Sequence, residues 1–87
     1  MYLVQDISGL SKTSNQWQVL KNGLIMYRGS FKEVLKYCSH DLGLNLNDFE
    51  IAVPAIIKHG HNTLEFNSKG NLVSSSFQAI MGRKKLG

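Results

Sequence analysis

Two short pairs, Cys38-x-His40 and His59-x-His61, bring one thiol and three imidazoles into an 87-residue chain. These are the donor types that hold zinc. Their spacing is not the C-x₂₋₄-C or H-x₃₋₅-H of structural zinc modules, and Cys38 falls on the apolar stripe of a predicted helix, where a thiol behaves as a small hydrophobe. No metal and no cofactor is therefore expected. His59 and His61 read instead as the close of a helix, with ring N–H groups available to its terminal carbonyls. Catalysis would need a nucleophile or a tuned acid/base pair in a pocket. Asp41, Asp48, Glu50, the histidines, Ser74, Ser75 and Ser76 are of suitable type, but no spacing among them marks a reaction. The chain carries no phosphate-cradling glycine loop, no G-x-S-x-G and no H-E-x-x-H, and it reads as a non-enzyme.

The elements that would position any site are easier to identify. Asn22-Gly23 lies between two apolar runs, and both residues tolerate the positive φ of a type I′ turn, so residues 17–28 should form a hairpin. With a two-residue loop, Trp17, Val19, Leu24 and Met26 share one face, and Leu20, Ile25 and Tyr27 the other. Ser30-Phe31-Lys32-Glu33 is a capping box for a helix whose stripe is Phe31, Val34, Leu35, Cys38 and Leu42, with Lys32, Lys36, Ser39 and His40 off it and Gly43 as its stop. Residues 1–7 should be an edge strand and 8–15 a polar connection. Asn47 should cap a second, Pro54-kinked helix ending near Gly60; alternation of Phe49, Ile51 and Val53 leaves a strand as the competing reading. A hairpin over 64–73 follows, turning at Asn67-Ser68-Lys69-Gly70, and Ser75 or Ser76 caps a short final helix through Met81.

These elements predict an α+β fold: a small antiparallel sheet from two hairpins, packed against two helices, with a short C-terminal helix. One domain spans 1–82, followed by a basic tail, 83–87. Apolar residues make up 43% and charged residues 18%, an ordinary globular composition that excludes disorder. The single cysteine cannot form an internal disulfide, the start has no basic and apolar leader, and the longest apolar run, 51–57, is too short to span a bilayer. A cytoplasmic location and no membrane association are expected. The net charge of +4 belongs mainly to the tail, since setting aside Arg83, Lys84 and Lys85 leaves seven basic residues against six acidic ones.

Nucleic-acid binding has a geometric form: two helices and a hairpin in the order of a winged helix-turn-helix, with Lys69 in the wing and Arg83, Lys84 and Lys85 in the tail. The second helix opposes it, because its few polar residues include Asp48 and Glu50. The favoured reading is a protein-binding module, with Leu20, Ile25, Tyr27 and Tyr2 as its contact residues and a homodimer as a further option.

Trp17-x-Val19 with Asn22-Gly23, Gly29-Ser30 opening a helix, and His59-Gly60-His61-Asn62 running into Leu64-Glu65-Phe66 and a glycine turn resemble short accessory proteins of tailed phages. The likeness spans about residues 17–75. It implies an inhibitor or modulator of a host protein or signalling pathway, acting without catalysis in the host cytoplasm, and it transfers no functional residue.

Overall fold

A computed structural model describes residues 1–8 and 16–79, and leaves aside the side chains of residues 55–57. Asn22 and Gly23 adopt φ of 51° and 85°, the left-handed pair that lets a two-residue turn follow the twist of its strands. They join β2 (Trp17–Lys21) to β3 (Leu24–Gly29). Ser30 then opens α1 (Phe31–His40) through the expected capping box: its hydroxyl accepts from the Glu33 N–H, and the Glu33 carboxylate accepts from the Ser30 N–H at 2.9 Å. Helix α1 ends at His40. Gly43, at φ 69°, reverses the chain so that the Leu44 N–H donates to the Cys38 carbonyl at 3.0 Å.

Helix, not strand, occupies α2 (Leu46–His59), with Pro54 inside it. Its N-terminus is capped two residues earlier than expected. The Asn45 side chain accepts from the Asn47 N–H at 3.0 Å, while the Asp48 carboxylate accepts from the Leu72 N–H at 2.8 Å and ties the helix start to the last strand. The chain closes with β4 (Thr63–Phe66) and β5 (Leu72–Ser76). The predicted final helix is absent from residues 77–79, where β5 has just ended at Ser76. Its remainder and the basic tail lie outside the described residues.

All five strands pair antiparallel in the order β3-β2-β1-β4-β5, so β1 (Tyr2–Asp6) is the central strand. The expectation of an edge strand is thereby corrected. Both sides of β1 are taken up by β2 and β4, and within it Gln5 is buried with its amide bonded on both sides. Among the described residues the edges of the sheet are β3 and β5. One face of the sheet receives the helices: Val4, Val19, Leu64 and Phe66 are fully buried against Val34 and Cys38 of α1 and Phe49 and Ala52 of α2. Trp17 packs on Phe31 and Phe49 on Phe66, each with ring centroids 4.8 Å apart. Among the described residues no helix is long and apolar enough to cross a membrane.

The opposite face carries a one-way chain of hydrogen bonds. Arg28 Nε donates to Gln18 Oε1, Gln18 Nε2 to Gln5 Oε1, Gln5 Nε2 to Thr63 Oγ1, and Thr63 Oγ1 to Asn62 Oδ1, at 2.8–3.1 Å. Arg28 is a pure donor, so it fixes which end of each following amide must face it.

The β4–β5 turn is docked onto the link between the helices. The Asn45 N–H donates to the Gly70 carbonyl at 2.8 Å, and a Cβ at Gly70 would stand 2.7 Å from the Gly43 carbonyl oxygen. Gly70 also holds φ 89°. Gly70→Ala should therefore destabilise the fold by about 2–3 kcal/mol, strain and overlap together, whereas Gly23→Ala, with open space around it, should cost about 1–2 kcal/mol. Urea unfolding of the two variants checks the order.

Candidate functional site

Strand β3 and helix α1 meet along one flank of the molecule, and a register irregularity decides what β3 presents there. Lys21 pairs with Leu24 and Leu20 with Ile25, but Val19 pairs with Tyr27, leaving Met26 as an extra residue. The regular register expected from the loop length fails at that point. Tyr27 moves to the helix side, where its ring stacks on Tyr37 of α1 at 4.6 Å with planes 6° apart. It no longer shares a face with Leu20 and Ile25. Both tyrosines are half-buried, and an aromatic pair of this kind contributes about 0.5–1.5 kcal/mol beyond its buried area, which offsets part of the cost of the unpaired residue.

Among the predicted contact residues, Ile25 is exposed and Leu20 half-buried on the sheet face away from the helices, and Tyr27 and Tyr2 are half-buried on the helix side. Tyr2 lies under Lys21, whose Nζ is 5.9 Å from the ring centroid. The structure thus divides the four between two faces. It also adds neighbours to Ile25: Leu24 and Met26 leave 70% and 45% of their surfaces in solvent, against 51% for Ile25. Three consecutive apolar residues, with no lysine or proline among them, therefore line a sheet edge that no strand pairs among the described residues.

Beside that edge, an open groove of about 520 Å³ is lined by Tyr27, Glu33, Lys36, Tyr37, His40 and Asp41. Sequence reasoning placed Lys36 and His40 off the apolar stripe of α1 but did not connect them to β3. The three- and four-residue spacing of Glu33, Lys36, Tyr37, His40 and Asp41 was the available signal, since it puts all five along one flank of the helix.

The rings of His59 and His61 lie 5.5 Å apart, but Cys38 and His40 do not join them. Cys38 is fully buried in the core, His40 is exposed at the end of α1, and among the described residues no three His, Cys, Asp or Glu side chains form a metal-binding group. His59 ends α2. The His61 ring nitrogen Nδ1 lies 2.9 Å from Ser75 Oγ, so His61 ties the loop to β5 rather than closing the helix. Of the nucleic-acid candidates, Lys69 is exposed in the β4–β5 turn and Arg83, Lys84 and Lys85 fall outside the described residues. The would-be wing is continuous with the main sheet through the β1–β4 pairing.

Comparison with protein-family models, curated proteins and solved structures finds no match to this chain.

Burial pushes the Cys38 thiol up from 9.0 to about 12. The folded state therefore holds its proton where the unfolded chain has lost it, and the thiol's contribution is present below pH 9 and is lost as pH rises toward 12. Stability measured across that range should fall more steeply for the native chain than for Cys38→Ala, and iodoacetamide should label Cys38 only upon unfolding.

Proposed function

We propose that this chain is a non-enzymatic protein-binding module, an inhibitor or modulator that takes an extended segment of its target as an added strand on β3. The observation that carries this reading is the β3 edge: among the described residues no strand pairs with its outer side, and Leu24, Ile25 and Met26 are exposed in sequence along it, next to a groove. Native sheets ordinarily blunt such edges with charge, proline or a covering element, and an open apolar edge invites another strand. The other edge is poorer in apolar surface, since β5 offers exposed Val73 followed by three serines. The resemblance to accessory proteins of tailed phages rests partly on this same hairpin and supports a host protein as the target.

The pair Lys21–Leu24 closes the turn, so the alternation of an antiparallel ladder points the Ile25 N–H outward, where an added strand would use it. Ile25→Pro removes that donor and should weaken capture of the target at least tenfold, about 1.4 kcal/mol, while Ile25→Val retains it. The measurement is recovery from host-cell lysate with and without nuclease, with circular dichroism confirming each fold. Where Ile25→Pro unfolds, Leu24→Ser with Met26→Ser supplies the same comparison. Undiminished recovery by a folded edge variant overturns the reading, and recovery abolished by nuclease would assign the interaction to nucleic acid through Lys69 and the basic tail instead.

A further inference from the structure

We infer that His59 and His61 form a surface site for one zinc-type divalent ion, with water completing its coordination. The four donors weighed from the sequence do not assemble, since Cys38 is fully buried and His40 ends the other helix. Two of them do. The rings of His59 and His61 have centroids 5.5 Å apart and planes tilted by 33°, with His59 exposed and His61 half-buried. A zinc–nitrogen bond of about 2.0–2.1 Å, with each ligating nitrogen about 1.2 Å from its ring centre, sets two imidazoles on a tetrahedral ion about 5.2 Å apart, against about 4.5 Å for adjacent corners of a square. The observed separation is close to the tetrahedral one, the geometry of zinc. Rotation about χ2 re-aims the nitrogens of a ring while hardly moving its centre, and the exposed His59 can make that turn.

The backbone holds the two rings together. Gly60, between them, has φ 68°, a left-handed turn that lets the chain leave α2 and bring residues 59 and 61 side by side. Asn62 then fixes the base of His61 on the last strand: its N–H donates to the Ser76 carbonyl at 3.0 Å, and its side chain bonds the Gln78 backbone in both directions. The His61 ring is itself anchored, with Nδ1 2.9 Å from Ser75 Oγ. When Nδ1–H donates to that hydroxyl, Nε2 is left unprotonated and available to an ion, the arrangement by which a neighbouring acceptor selects the tautomer of a metal-bound histidine. His59 is also the last residue of α2, where the helix dipole presents its negative end and favours a cation. An ion held by both rings would cross-link the end of α2 to β5.

The test is isothermal titration of the intact chain with zinc chloride, together with NMR of the histidine ring protons. One ion per chain should bind in the micromolar range, as suits two protein donors where structural zinc sites use four, and the ring signals of His59 and His61 should shift while that of His40 does not. His59→Ala and His61→Ala should each weaken binding about tenfold or more, and Ser75→Ala should do so about tenfold by releasing the His61 ring. Ser75→Thr, which keeps the hydroxyl, should restore the affinity, and Cys38→Ala should leave it unchanged. Circular dichroism checks each fold; where His61→Ala unfolds, His59→Ala, exposed at a helix end, carries the comparison. The absence of saturable binding at millimolar zinc, or undiminished binding by His59→Ala, would overturn the site. Binding lost in Cys38→Ala would move the ion to the thiol, and one zinc per two chains would replace the water ligands with a second copy, each overturning the assignment.

Discussion

A central strand cannot leave either of its edges unpaired, and β1 occupies the centre of this sheet. Its N–H and C=O groups point both ways, and each buried one left without a partner would cost on the order of 1–3 kcal/mol. Val4 meets this requirement by sitting between Val19 of β2 and Leu64 of β4, all three without exposure to solvent. The two hairpins are therefore not separate units. Each is held by β1, and the helices that connect them must return the chain from the β2 side to the β4 side across one face. Gly43 and Asn45, which reverse and restart the helical path, and the β4–β5 turn that docks on them are consequences of that return.

The face of the sheet away from α1 and α2 follows the same constraint by different chemistry. Gln5 and Gln18 occupy paired positions on adjacent strands, and Thr63 completes the row on β4. Each is almost wholly buried and each is satisfied by its neighbour, with no buried side-chain polar atom left unpartnered among the described residues. A row of this kind has one polarity, set by Arg28 at its start. A slip of register by one residue would turn each amide into the apolar face and leave its neighbours unpaired, so the row specifies pairing as well as stabilising it.

Local chemistry determines the elements that are legible in the sequence. Asn22-Gly23, the Ser30–Glu33 box, the stripe through Val34 and Cys38, the helix through Pro54 and the glycine-ended turn at Gly70 all depend on residues within a few positions of one another. What escaped depends on partners far along the chain. The central place of β1 rests on pairing with residues near 17–21 and 63–66 at once. The bulge at Met26 escaped because a two-residue turn implies regular pairing, and only the stacking of Tyr27 on Tyr37, ten residues on and in another element, favours the extra residue. With the bulge unseen, Ile25 and Tyr27 were placed on one face, and the groove between β3 and α1 could not be drawn.

The same bulge links fold to site. An edge strand that ran in regular register would lay Tyr27 on the face away from α1 and α2 and leave α1 to pack against Met26, closing the flank with a flexible apolar side chain. By sending Tyr27 to the helices, the extra residue leaves Met26 exposed at the edge and places a rigid aromatic pair at the base of the groove. Bulges beside a sheet edge commonly twist the strand out of reach of other strands. Here the bulge comes after Leu24 and Ile25, so the stretch nearest the turn keeps its regular pairing with β2 while its outer side remains open. On the proposed strand addition, the irregularity would confine an added strand to the short segment between the turn and the groove.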